Sequence, residues 1–135
     1  MTENISDNRS IEVGMRGSAA VVVGDAHTAA RLGSGRAPVF ATPAMIALME
    51  AAAVACADDS LKAGEETLGV HLDIEHIAPS PVGAEITATA ELTAIDGRRL
   101  LFRVEARDGE QVIGRGTHTR VIVDSARFRA KLAAR

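Results

Sequence analysis

Apolar residues occupy every face of the segment from Ala44 to Ala57, and its single charged residue is Glu50. Thr42 and Pro43 come just before it and are typical of a helix start, because a threonine hydroxyl can accept a hydrogen bond from a free backbone N–H group and proline fits the first turn. A helix that is apolar on all sides is a buried one. The pattern therefore predicts a buried helix that begins at Thr42 and carries a carboxylate whose burial requires a partner or a function.

Most of the remaining chain is typical of β-strands. One strand is predicted within Ile11 to Val23, and four follow the helix, at Thr67 to Ala78, Ala84 to Ile95, Arg99 to Arg107 and Gln111 to Val123. The pairs Asp96-Gly97 and Asp108-Gly109 favour hairpins, because a type I′ turn needs positive φ at both central residues. Three successive hairpins predict an antiparallel sheet, and Asp124 to Arg135 is typical of a short basic helix.

Alternation along the predicted strands indicates which side chains face the helix, because successive side chains point to opposite faces of a strand. In the first strand after the helix the inward set is Leu68, Val70, Leu72, Ile74, His76 and Ala78. The next two strands have as their inward sets Ile86, Ala88, Ala90 and Leu92, and Leu100, Phe102 and Val104. His76 and Glu50 are thus predicted to share one core, and whether they touch depends on the strand register.

Residues 1–10 are predicted to be a flexible N-terminus, and residues 11–135 a single domain. Gly33, Ser34 and Gly35 are expected to interrupt any regular element between Gly24 and Ala37, which is predicted to be a flap beside the helix. The helix is rich in alanine, which lets a sheet or a second helix approach closely, and its apolar surface exceeds what one sheet covers. A homodimer is therefore predicted.

Composition excludes several classes of partner. The net charge of −3 with scattered signs provides no basic surface for nucleic acid, and no apolar run reaches the ~18 residues of a membrane-spanning helix. A single cysteine, Cys56, agrees with a reducing compartment and a cytoplasmic location. His71 and His76 alternate to opposite faces, and His27 and His118 lack the spacing of metal ligands, so no metal site is predicted.

Several short segments, in their order along the chain, carry a resemblance to a known family. They are Val39-Phe40-Ala41-Thr42, Leu48-Met49-Glu50, Leu68-Gly69, His76, Ala90-Glu91-Leu92, Gly97-Arg98-Arg99-Leu100, and Gly116-Thr117-His118 with Arg120. Over about residues 11 to 132 the chain resembles the fluoroacetyl-CoA thioesterase group of the hotdog thioesterases. The resemblance implies an α+β hotdog fold, in which a curled antiparallel sheet wraps around one long central helix, and a dimer.

The resemblance also implies a set of site residues. In that family a threonine at the head of the helix, a glutamate within it and a histidine on the following strand are catalytic, and they map to Thr42, Glu50 and His76. Gly69 is expected near the thioester and Arg120 near the site, and Val39 and Phe40 are predicted to bind substrate.

One departure from the family concerns the flap. The flap of the prototype enzyme contributes phenylalanines that read the fluorinated acyl group, whereas the segment from Ala29 to Ala37 contains none. The resemblance therefore implies hydrolysis of a short-chain acyl-CoA to the free acid and CoA without extending to fluoroacetyl selectivity. The CoA thioester is the substrate, and no further cofactor is expected.

Thioester hydrolysis assigns a task to each of these residues. His76 suits the base, because the pKa of an unperturbed histidine is about 6.5. Glu50 either orients the imidazole, activates water or attacks the thioester to form an anhydride. Thr42 donates a hydrogen bond or positions water, and backbone N–H groups at Gly69 or at a helix start supply the oxyanion hole. Thr42 and Glu50 are about 12 Å apart along a helix, so they meet through His76, the substrate or the partner subunit.

Each residue also has a structural interpretation. Thr42 could serve only as a helix cap, and His76 only as a hydrogen-bonded core histidine. Glu50 could form an ion pair with Arg120, and Gly69 could simply permit close packing. The alternative functions are a non-catalytic acyl-CoA binding or sensing module and a hydratase or dehydratase acting on an enoyl-CoA.

Overall fold

The structure, a computed structural model, describes residues 9 to 135; the first eight residues of the predicted flexible N-terminus lie outside this range. Arg9 and Ser10, at the end of that predicted segment, bond to the rest of the chain. Arg9 Nη2 lies 2.6 Å from Glu65 Oε2 with both side chains buried, and this hydrogen bond lowers the pKa of Glu65 to about 2. The backbone N–H of Ser10 donates to the carbonyl of Ser60. The chain is therefore anchored from Arg9 onwards.

Five strands and three helices make up the described chain. The strands are β1 (Arg16–Val22), β2 (Glu65–His76), β3 (Glu85–Asp96), β4 (Arg99–Asp108) and β5 (Gln111–Asp124). The helices are α1 (Ala29–Leu32), α2 (Thr42–Ala57) and α3 (Ser125–Ala133). All strand pairs are antiparallel in the order β1-β3-β4-β5-β2, and α2 packs mainly on β1 and β3. The predicted α+β architecture of one long helix on an antiparallel sheet is confirmed.

Two of the three predicted hairpins form. Gly97 and Gly109 adopt φ of +60° and +61° in the turns that join β3 to β4 and β4 to β5. No residue other than glycine has a positive φ in the described chain, so the predicted type I′ conformation is wrong. The prediction of a hairpin between β2 and β3 is wrong, because β2 pairs with β5 and β1 pairs with β3. Two prolines, Pro79 and Pro81, lie in the connection, which crosses the sheet instead of folding back tightly. β2 is consequently an edge strand.

The predicted flap contains short regular elements, contrary to expectation. Residues Asp25–His27 form a 3₁₀ turn, and α1 follows it. The side chain of Thr28 accepts a hydrogen bond from the backbone N–H of Arg31, and Gly33 ends the helix with φ of +76°. A side-chain cap at Thr28 and a left-handed glycine at Gly33 therefore begin and end one turn of helix. The glycine-rich composition of the segment had favoured an irregular loop.

Helix α2 is buried on one side of the described chain, so the prediction of burial on all sides is not met by a single copy. Its buried residues are Met45, Met49, Ala52, Ala53, Cys56 and Ala57. Strand β1 approaches this side closely at Gly17, where an added Cβ would lie 2.5 Å from the carbonyl oxygen of Ala52. The opposite side exposes the small apolar residues Ala47, Ala51, Val54 and Ala55.

Strand alternation was predicted correctly for β3 and β4 and incorrectly for part of β2. The predicted inward residues of β3 and β4 are all buried. In β2 a bulge between Gly69 and His71 reverses the alternation, so that Thr67 is buried and Val70 is 51% exposed. Beyond the bulge His76 lies on the predicted face, opposite Gly114.

Between residues 9 and 135 no helix is long and apolar enough to cross a membrane.

Candidate active site

Thr42 and His76 form a hydrogen-bonded pair at the start of α2. Thr42 is the first residue of the helix, as predicted, but the preceding cap residue is Ala41, which makes no side-chain capping bond. The hydroxyl Oγ1 of Thr42 lies 2.7 Å from Nδ1 of His76. The prediction that this hydroxyl caps the helix is therefore wrong, because it faces the imidazole.

The imidazole of His76 has one bonded and one free nitrogen. Its Nε2 is buried and has no hydrogen-bond partner among residues 9 to 135. Burial lowers the pKa of His76 below its ordinary value of 6.5, opposed in part by the nearby backbone of Ala78. Burial therefore favours the neutral ring, which can accept a proton as a general base does.

A cavity of about 310 Å³ opens beside this pair. Its walls are Ala29, Ser34, Val39, Phe40, Thr42, His76, Ile77, Ala78 and Pro79. Val39 and Phe40, predicted to bind substrate, thus lie next to the hydroxyl and the imidazole. The flap contributes Ala29 and Ser34, which are small side chains.

Glu50 belongs to a second cluster, halfway along α2. Its Oε2 lies 3.3 Å from Nη1 of Arg120 and 3.8 Å from Nε2 of His118. A Cβ added at Gly69 would lie 2.5 Å from the same oxygen. The ion pair with Arg120, one of the structural interpretations, is therefore present, and Gly69 leaves the space that the carboxylate occupies.

Arg120 is 6% exposed and is bonded on all three of its nitrogens. Nε and Nη2 donate to the hydroxyl and the carbonyl of Thr67 at 2.8 and 3.0 Å. Nη1 lies 3.1 Å from Nε2 of His118. Glu50 is the one carboxylate paired with this buried guanidinium in the part of the chain that the structure describes.

The two clusters are separate within one chain. Thr42 and Glu50 are about 12 Å apart along the helix axis, and the imidazole beside Glu50 belongs to His118, not to His76. The structure thus places all the predicted site residues in two groups: Thr42, His76, Val39 and Phe40 in one, and Glu50, Gly69 and Arg120 in the other. In residues 9 to 135, no three His, Cys, Asp or Glu side chains converge as metal ligands would.

The family described as fluoroacetyl-CoA-specific thioesterase matches residues 23–126 of the chain. The chain belongs to this family. It is 45% identical over 94 residues to a fluoroacetyl-CoA thioesterase of Streptantibioticus cattleyicolor, an alignment that covers 70% of this chain and 68% of that protein.

Two solved structures from this thioesterase family share the fold. The fluoroacetyl-CoA thioesterase FlK is 38% identical with a TM-score of 0.84, covering 93% of this chain and 98% of the other. A threonine-to-serine variant of FlK in complex with acetyl-CoA is 37% identical with a TM-score of 0.86, covering 92% and 98%. The predicted hotdog fold is confirmed by these likenesses.

The sequence did not predict that His118 of this thioesterase family member lies beside Glu50. His118 lies opposite Phe102 on the neighbouring strand, and Phe102 was correctly placed in the core. A turn centred on Asp108 and Gly109 would have placed Arg115 there instead, because the observed turn pairs Asp108 with Gln111 and a bulge between Ala106 and Arg107 shifts the pairing by one more residue. The available signal therefore pointed to the wrong residue.

Proposed function

We propose that this protein hydrolyses a short-chain acyl-CoA thioester to the free acid and CoA, with Thr42, Glu50 and His76 as its catalytic residues. Membership of the thioesterase family supports the class of reaction. The observation on which the proposal chiefly rests is the 2.7 Å contact between Thr42 and His76 at the wall of a cavity. A hydroxyl and a neutral imidazole at this distance have the geometry of a nucleophile or water-positioning group with its base.

The geometry supports a mechanism in which the imidazole of His76 accepts a proton from the nucleophile and returns it to the leaving thiolate. His76 takes a proton from a water molecule that Thr42 positions, as the water oxygen attacks the thioester carbonyl. The tetrahedral intermediate then expels the CoA thiolate, which recovers the proton from the imidazolium. Glu50 activates the water, attacks the thioester itself, or stabilises the imidazolium. Each of these roles requires its carboxylate within reach of the substrate.

We further propose a homodimer in which each active site combines both clusters. A dimer that buries the exposed small residues of α2 and the free edge of β2 removes two unpartnered surfaces of the single chain. In a two-fold dimer any contact of one region with another is made twice. The Glu50 cluster of one protomer then faces the Thr42–His76 pair of the other, which resolves their separation along the helix.

The proposed substrates are short acyl groups without fluoroacetyl selectivity. The relatives named above act on fluoroacetyl-CoA or were solved with acetyl-CoA. Here the flap lines the cavity with Ala29 and Ser34, and no aromatic side chain lies between residues 29 and 37 to contact a fluorine atom. The buried single cysteine fits the predicted cytoplasmic location.

A panel of short acyl-CoA thioesters tests the activity by release of free thiol. We expect turnover of acetyl-, propionyl- and butyryl-CoA, with kcat/KM for fluoroacetyl-CoA within about tenfold of that for acetyl-CoA. Tight binding without thiol release would instead favour an acyl-CoA binding module. Loss of the enoyl absorbance from crotonyl-CoA without thiol release would favour a hydratase.

Mixed dimers test the composite site. Thr42→Ala and Glu50→Gln protomers, each inactive alone, are unfolded together in equal amounts and refolded. If sites combine two chains, half of the dimers are mixed and each contains one intact site, so about one quarter of the wild-type activity returns. A mixture of Thr42→Ala with His76→Ala is the matched control, because these two residues touch within one chain and no intact pair can form. No recovery in the first mixture would place both clusters of a site in the same protomer.

A further inference from the structure

We propose that His118 is a positioning residue, whose Nε2 holds the guanidinium of Arg120 so that Arg120 orients the carboxylate of Glu50. The inference rests on the proposed function, in which Glu50 is catalytic. His118 does not reach the substrate cavity, and both of its ring nitrogens are occupied. Its contribution would therefore be made through Arg120.

The ring of His118 is held in one orientation and one tautomer. It is 1% exposed, and the ring of Phe102 lies beside it with a centroid distance of 6.3 Å. Nδ1 lies 2.8 Å from the carbonyl oxygen of His71, which can only accept a hydrogen bond. Nδ1 must therefore carry the proton, so Nε2 of the neutral ring has a lone pair. Burial favours that neutral form by lowering the pKa of His118.

Arg120 is the natural donor to this lone pair. Guanidinium is always charged and has no acceptor, so each of its N–H groups needs an acceptor when it is buried. Nη1 lies between Nε2 of His118 at 3.1 Å and Oε2 of Glu50 at 3.3 Å. His118 and Glu50 are themselves 3.8 Å apart and both present acceptors, so they do not bond to each other. The two groups are connected only through the shared nitrogen.

The opposite side of the guanidinium is fixed by a separate chain of hydrogen bonds. Thr67 accepts from Nε and Nη2 of Arg120, and its hydroxyl and backbone N–H donate to the carboxylate of Asp58 at 2.7 and 3.2 Å. Asp58 follows the last residue of α2. A planar group held at both edges cannot rotate, so Nη1 keeps a fixed direction towards Glu50. Without His118, the Nη1 edge would lose one of its two acceptors.

Substitution of His118 by glutamine or by asparagine tests its two hydrogen bonds one at a time. In His118→Gln the amide oxygen can reach the position of Nε2 and accept from Arg120. In His118→Asn the shorter amide can reach only the position of Nδ1 and the carbonyl of His71. We expect His118→Gln to retain kcat within about threefold, and His118→Asn to lose about 10- to 100-fold in kcat with KM little changed.

Several outcomes would overturn the inference. They are equal kcat values for the two variants, a raised KM with unchanged kcat, or losses that simply follow the melting temperatures. The tautomer is measured independently on the wild-type protein by ¹⁵N NMR of the His118 ring, where a proton on Nδ1 is expected and a proton on Nε2 would refute the arrangement. This readout needs no turnover, so failure of the proposed hydrolase activity and failure of the positioning role remain distinguishable.

Discussion

Replacing Glu50 by glutamine is expected to lower kcat/KM for a short-chain acyl-CoA by about 10²- to 10⁴-fold, the range typical of a positioned acid or base. The amide keeps the shape of the side chain and an oxygen that can accept from Arg120, 3.3 Å away in the wild-type structure. It loses the charge and the ability to take a proton or attack a carbonyl. Thiol release measured at saturating and limiting substrate separates kcat from KM, and the loss is expected in kcat.

Glu66→Gln is the matched control for this substitution. Glu66 is a carboxylate on β2 that pairs with Arg129 at the protein surface and forms no ion pair with a residue of either cluster. The same chemical change there is expected to leave kcat/KM unaltered. Full activity of Glu50→Gln in a protein with an unchanged melting temperature would reduce Glu50 to the structural ion pair with Arg120.

The role of Glu50 can be resolved further by isotope labelling. In a single turnover in H₂¹⁸O with enzyme in excess, water activated by the carboxylate puts ¹⁸O only into the product acid. If the carboxylate attacks the thioester, water can open the resulting anhydride at the glutamyl carbon and leave ¹⁸O in Glu50. A mass increase of the peptide containing Glu50 therefore indicates covalent catalysis.

The uninterrupted stretches of strand were predictable because one rule governs them. Between Ile86 and Leu92, and between Leu100 and Val104, every second side chain is buried, as alternation requires. The rule failed in β2, where the bulge after Gly69 adds one residue and reverses the faces. The sequence does not indicate where a bulge lies. Valine is typical of strands in general, so Val70 was assigned to a regular, buried position. The pairing of β2 was also predicted wrongly. Residues typical of turns indicate that the chain changes direction after β2, but not that the connection crosses the sheet to the other side.

The candidate site was predictable as a set of residues and not as an arrangement. Glu50 was identified because it is the single charged residue on a helix that is otherwise apolar. The rise of about 1.5 Å per residue along an α-helix then gave its distance from Thr42. Which histidine accompanies Glu50 depended on strand register, and two bulges determine that register. His118 therefore lies where only His76 had been considered.

Substituting Gly69 by alanine is expected to lower kcat by about 10²-fold while leaving the melting temperature nearly unchanged. The added Cβ would lie 2.5 Å from Oε2 of Glu50, 3.0 Å from Cε1 of His118 and 3.3 Å from Nη1 of Arg120. The tightest conflict is with the end of a flexible side chain, so the carboxylate moves and the backbone does not. A displacement of about 1 Å in a catalytic group can cost about 10²-fold in rate.

Two other glycines provide controls of opposite kind. Gly24→Ala meets no atom closer than 3.7 Å and is expected to change neither rate nor stability. Gly17→Ala would bring its Cβ within 2.7 Å of Cα of Cys56 in the helix backbone, so we expect a lower melting temperature there. For Gly69→Ala we therefore expect a lower kcat with an unchanged melting temperature. Thiol release and thermal unfolding are measured on the same preparations of all three variants. Wild-type turnover in Gly69→Ala would mean that the carboxylate need not lie beside Arg120, whereas a large fall in melting temperature would assign Gly69 to packing of the sheet.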